Sequence, residues 1–136
     1  MSDEDPSPSA QNIVLLRLAD IVLLRAEALV KLGGASNIAE ALSLLNSVRS
    51  RAGLPAIENE ENAAARYGNL ELAILHERSI ELCFEGKRWF DLVRTDKAIA
   101  TMSPINGLSD QRNLVWPIHV STLNKNPNLN QNDFYR

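Results

Sequence analysis

Residues 13–53 read IVLLRLADIVLLRAEALVKLGGASNIAEALSLLNSVRSRAG, and the phase of the apolar residues in this stretch decides the fold class. Leu15, Leu18, Val22 and Ala26, with Leu29 one turn further, recur at three- and four-residue steps, the period of a helix with one face turned inward. Gly33 and Gly34 supply the left-handed conformations that end helices, so a first helix is predicted over 13–32. Asn37 followed by Glu40 has the spacing of a capping box. Ala41, Leu44, Leu45 and Val48 form the next apolar stripe, and Gly53 with Pro55 closes the second helix after about Arg51. A link of only a few residues makes the two helices antiparallel neighbours.

Outward from the hairpin, the pattern weakens. Ala26-Glu27-Ala28-Leu29 recurs as Ala39-Glu40-Ala41-Leu42, and the pair of helices resembles one unit of a tetratricopeptide-type repeat. One such unit cannot bury its own apolar face, so it calls for neighbours or a substitute for them. The polar segment 55–68 is expected to be loop. Leu72, Leu75, Leu82 and Cys83 mark one face of a third helix starting near Asn69, with a shorter helical piece over 88–94 beyond Gly86. After Thr95 the periodicity fails among Pro104, Gly107, Pro117, Pro127 and many asparagines. Loops and single turns are predicted there, with at most a short extended piece around 114–116. Residues 1–12, with Pro6 and Pro8, are expected to form a disordered tail, leaving 13–136 as the folded domain. The fold class is therefore all-α: an antiparallel helical hairpin, a third long helix and a long irregular C-terminal segment.

Composition sets limits on function. The chain has 136 residues, 45% of them hydrophobic and 23% charged. Its net charge of −3 arises in Asp3, Glu4 and Asp5, because residues 1–12 hold no Lys or Arg and the remainder balances. A neutral body offers no electrostatic footprint for nucleic acid or an anionic membrane. One cysteine, Cys83, cannot make an internal disulfide, and its place on an apolar helical face predicts a small buried thiol. The longest apolar runs are broken by Arg17, Asp20 and Arg25, well short of the ~18 residues of a membrane span. The first residues lack the charged, apolar, small-residue order of a leader, so the chain is expected to be cytosolic or to have its export signal outside this sequence.

Each candidate for chemistry has a plainer explanation. His76-Glu77 begins like a zinc-protease helix, but Ile80 stands where the second histidine must be, and His119 is isolated; no metal or other cofactor is predicted. Glu77, Glu81 and Glu85 share one helical face, as a pair of acid/base carboxylates would. Arg78 lies beside them, and Glu85, Arg88, Asp91 and Arg94 alternate in sign at three-residue steps, so an ion-pair network is the more economical reading. No nucleophile elbow or phosphate loop is present. Trp89 and Trp116 could stack on a sugar ring, although core anchoring is the simpler role for both, and Trp116 is retained as the candidate ligand contact. Asn124, Asn126, Asn128, Asn130 and Asn132 alternate and could bond hydroxyls, or serve turn chemistry.

Taken together, Glu77-Arg78, Glu81-Leu82, Phe84-Glu85-Gly86, Arg88-Trp89-Phe90-Asp91-Leu92 and Arg94 resemble the signature helix of the SusD/RagB family of bacterial surface glycan-binding lipoproteins. Three further segments agree in order: 17–29, 45–54, and Pro117-Ile118 with 126–132. Leu18 and Leu24 depart from the aromatic or Met often found there, and Asp133-Phe134-Tyr135 from the usual Pro-Gly-Tyr. Family members are several times longer, so the likeness is to their C-terminal part.

The resemblance implies a protein without catalysis that captures oligosaccharide at the outer-membrane cell surface and passes it to a TonB-dependent transporter. No binding residue is carried over, since the family's sugar platform lies largely elsewhere; the signature residues Glu77, Arg78, Glu81, Glu85, Arg88, Trp89, Asp91 and Arg94 are expected to determine the fold. Two other classes compete. A free-standing helical module could present its groove to a peptide, and a carbohydrate-cleaving enzyme would use Glu77 or Glu81. An unpartnered hairpin is further expected to expose an apolar face and self-associate.

Overall fold

The computed structural model describes residues 15–135, so the tail expected over 1–12 lies outside the described residues. Those residues are helical, with no strand among them. They form two compact units, one ending at Glu85 and the other beginning at Gly86.

The first unit is built on the hairpin. Helix α1 (Leu18–Leu32) and α2 (Ala35–Arg51) are joined by Gly33 and Gly34 alone, at φ 70° and 88°. The α1 helix begins five residues later than predicted, because Arg17 is extended (φ −137°, ψ 164°) and sends its side chain to α4 instead of continuing the helix. Its buried face is also turned from the expected stripe. Ala19, Leu23 and Ala26 are buried with Asp20 and Glu27, Val22 and Leu29 pack partly, and Leu15 and Leu18 are exposed. Apolar residues alone misphase this helix, because two acids share its inner face. The second stripe is as expected: Ala41, Leu45 and Val48 are buried and Leu44 packs against them. No Asn37–Glu40 capping box forms. The glycine pair reverses the chain early enough for α2 to start at Ala35, leaving Asn37 to donate back to the Gly33 carbonyl (2.7 Å) and Glu40 to pair with Arg25.

Beyond α2, Gly53 (φ 73°) and a Leu54 amide bonded to the Arg49 carbonyl (2.9 Å) end the helix. The Asn46 amide then pins the loop, accepting from Ile57 N and donating to Ile57 O, both at 2.8 Å. Part of the expected loop is helix α3 (Glu60–Tyr67), capped by Asn59 through Asn62 N. Only Ala63 of α3 is buried, which is why no apolar period announces it. Gly68 turns the chain into α4 (Leu70–Glu81), whose cap Asn69 accepts from Leu72 N (2.8 Å). Leu70, Ala73 and Ile74 of α4 complete a core with Leu23, Ala26, Leu45 and Ile57. Cys83 is exposed, contrary to expectation, since α4 stops at Glu81 and the thiol falls in the following turn, where Phe84 holds φ 66°.

The second unit opens with α5 (Arg88–Arg94), the short helix predicted there, packed on α6 (Ala98–Asn106), with Leu92 and Ala98 buried. Helix α6 and α7 (Val120–Lys125) fall in the segment expected to hold only loops and single turns. Pro104 inside α6 disguises it: the residue usually read as a helix breaker sits near the C-terminal end, ahead of the left-handed Gly107 (φ 75°). A 3₁₀ turn at Gln111–Leu114 packs against another at Asp133–Tyr135; of the extended piece expected around 114–116, Leu114 instead closes the 3₁₀ turn, whereas Val115 is extended (φ −105°, ψ 128°).

Candidate functional site

The carboxylates that could have been catalytic are bonded to arginines, most of them on other helices. Glu77 Oε2 accepts from Arg49 Nη1 of α2 at 2.7 Å, with both side chains almost wholly buried. Arg49 also donates through Nε (3.0 Å) and Nη2 (2.9 Å) to the Pro55 carbonyl, so its planar fork is used on both edges. One residue on, Arg78 turns to α1, donating to Asp20 Oδ1 (2.9 Å) and to the Asp20 carbonyl (3.0 Å), again buried. Glu81 takes Arg17 and Arg51 together, and Glu85 takes Arg17 Nε at 2.8 Å. The second half of α4 is thereby tied to the start of α1 and the end of α2, which lie together at the open end of the hairpin.

The titration of this cluster follows from its geometry. Partial burial opposes ionisation of Glu81, but hydrogen bonds from Arg51 and Arg17 outweigh it and hold the carboxyl below its ordinary range. The hydrogen bond to Glu81, against desolvation and with help from Glu85, raises Arg17 further above its already high value. In the second unit, Arg94 donates to Asp91 Oδ1 through Nε (3.1 Å) and Nη2 (2.8 Å), the three-residue pairing predicted; Arg88 opens the same helix on its exposed side. Sequence spacing identified the acids but not Arg17, Asp20, Arg49 and Arg51 as partners. Asp20 and Arg49, charged residues on otherwise apolar faces, were the available signal.

Glu77 is buried and engaged, so substrate cannot reach it as an acid or base. Both histidines are engaged elsewhere: His76 is exposed with its ring 5.1 Å from that of Tyr67, and His119 caps α7 by accepting from Ser121 N (3.2 Å). Among the described residues no group of three or more His, Cys, Asp or Glu is arranged to hold a metal ion, and no helix is long and apolar enough to cross a membrane.

The aromatic candidates are not core anchors within their unit. Trp89 is half-buried on α5, while Trp116 is 76% exposed. With Phe90, Val93 and Leu114 they line an open apolar groove of about 390 Å³. The extended residue Val115 lines a separate concavity beneath the C-terminal turn.

Comparison with known proteins settles the lineage. The model of the SusD family matches residues 2–113. The chain belongs to the SusD family. It is 44% identical over 131 residues to SusD-like protein P38 of Formosa agariphila, covering 93% of this chain and 25% of that protein. It is 32% identical over 134 residues to the starch-binding protein SusD of Bacteroides thetaiotaomicron, covering 92% of this chain and 22% of that one. A crystal structure of a SusD superfamily protein from B. thetaiotaomicron superposes with a TM-score of 0.67 at 35% identity, over 91% of this chain and 26% of the other. The SusD-family chain described here thus spans about a quarter of the length of the relatives it matches.

Proposed function

We propose that this chain is part of a glycan-capturing lipoprotein of the bacterial outer-membrane surface, which holds oligosaccharide without cleaving it and delivers it to a TonB-dependent transporter. The observation that carries this reading is the match along nearly the whole chain to a relative named for starch binding. Two features of the site agree with it. Glu77, Glu81 and Glu85 are committed to arginines, which suits a role in which no bond is broken. Trp116 presents most of its indole to solvent beside Trp89, and the C–H face of a pyranose packs on such a ring. The proposed role of the signature residues Glu77, Arg78, Glu81, Glu85, Arg88, Trp89, Asp91 and Arg94 is to set the fold that carries the platform.

Calorimetric titration of the full gene product with a panel of oligosaccharides tests the reading. Saturable binding without product formation is expected, and Trp116→Ala is expected to weaken it about tenfold, the worth of one aromatic contact. Absence of binding across the panel overturns glycan capture; hydrolysis of any member by the unaltered protein, lost in a Glu81→Gln variant that keeps its helical signal, establishes an enzyme instead. A second reading, a helical module that binds protein, is favoured by the exposed Leu18 and Ile21 of α1. Capture of a helical or extended peptide, indifferent to sugars, would decide for it.

A further inference from the structure

The alternating asparagines near the C-terminus divide by what they bond. Asn126 Oδ1 accepts from the Asn128 amide (3.1 Å), which is turn chemistry. Asn132 donates from Nδ2 to the Trp116 carbonyl, leaving its side-chain oxygen directed elsewhere. Asn130 is exposed, and together with Asn132, Arg112, Asp133 and Phe134 it lines a concavity of about 400 Å³.

The frame of this concavity is held on several sides. Gln131 pairs its amide with the backbone of Ile118 in both directions, accepting from N and donating to O at 2.8 Å each. Asp110 accepts from the Arg112 amide (2.9 Å), starting the 3₁₀ turn, and its other oxygen engages Arg112 Nε at 2.9 Å. The guanidinium is thereby fixed over the Phe134 ring, with its central carbon 5.3 Å from the centroid. Asp110 already balances the charge of Arg112, so an anionic ligand gains little here. What remains is an apolar patch of the half-exposed Phe134 ring and Val115, set among amide, guanidinium and carboxylate groups. That combination of an apolar face with both donors and acceptors suits a neutral polyol.

We propose that this concavity binds one hexose unit of a neutral oligosaccharide. The ring C–H face lies against Phe134, and the hydroxyls bond the Asn130 amide, the Asn132 side-chain oxygen and Arg112 Nη1, the guanidinium nitrogen that Asp110 leaves unengaged. The proposal rests on the glycan-capture reading for the class of ligand and adds a contact surface separate from Trp116. The test is a ¹H–¹⁵N titration of the 136-residue chain with maltohexaose, cellohexaose and laminarihexaose, each to about 10 mM, enough to reveal a millimolar site. At least one hexasaccharide is expected to give saturable shifts of the Asn130 and Asn132 side-chain amides and of Arg112 Nε. Phe134→Ala should weaken that binding roughly tenfold. Asn130→Ala should weaken it about threefold with an unchanged melting temperature, because no intramolecular bond is lost. Shifts confined to the indoles of Trp89 and Trp116, no saturable shift with any of the three sugars, or affinity unchanged in both variants each overturn the proposal. Should the full gene product bind glycan in a Trp116-dependent manner while ignoring both variants, glycan capture stands and only this subsite falls. If it binds no glycan at all, both fall.

Discussion

Arg49 and Glu77 meet where almost no water reaches them, and the consequence is asymmetric. Removing one partner strands a buried charge, whereas replacing both by apolar groups of similar volume removes the desolvation cost as well. Glu77→Gln is therefore expected to lower unfolding stability by about 3 kcal/mol or more, and the double change Arg49→Met/Glu77→Leu to cost less than the single one. Urea unfolding of the cycle measures both; equal losses would show that the pair acts only as packing. Glu81 makes a separate prediction about acid. Its carboxyl titrates lower in the folded chain than its ordinary value of 4.5, so the unfolded chain binds the extra proton and stability falls as pH drops from about 4.5 through the folded value. In Glu81→Gln that part of the acid limb should be missing from a series of melting temperatures. At this scale the acids could be read from their spacing. Their partners could not, because Glu77 and Arg49 stand 28 residues apart and periodicity carries no information between helices.

Helices show the same division between local and distant information. The α2 stripe, the Asn69 start of α4 and the extent of α5 are local properties, and each was legible in the sequence. Helix α3 was hidden because it buries a single alanine, α6 because it contains Pro104, and the inward face of α1 because Asp20 and Glu27 lie on it. Two element-scale predictions follow from the connections. Gly33 holds φ 70° and ψ −178°, a region essentially closed to side chains, although a Cβ there would meet nothing within 4 Å. Gly33→Ala should accordingly cost about 1–3 kcal/mol through backbone strain alone, measured as a shift of the urea midpoint at constant slope. Asn46→Ala removes both bonds to Ile57 and should cost about 1–3 kcal/mol, with faster hydrogen exchange at the Ile57 amide. Exchange left unchanged there would mean that packing of the Ile57 side chain, rather than Asn46, holds the loop.

Taken whole, the chain exposes more large apolar side chains than its core arrangement requires. Leu15, Leu16, Leu18 and Ile21 lie at or near the start of α1, and Phe90 and Trp116 flank the groove of the second unit. Surfaces of this kind mark interfaces, so self-association is expected in sedimentation as concentration rises, and Leu18→Glu/Ile21→Lys should reduce it. A monomer at every concentration would remove this expectation. The single cysteine adds an opportunity of another sort. Cys83 is free and exposed in the turn closing the first unit, whereas both tryptophans, Trp89 and Trp116, belong to the second. A maleimide dye on that thiol becomes an energy-transfer acceptor for indole emission, and it needs no substitution to install. The native chain thus comes equipped as a molecular ruler, able to report in solution whether its two units approach or part when sugar is added.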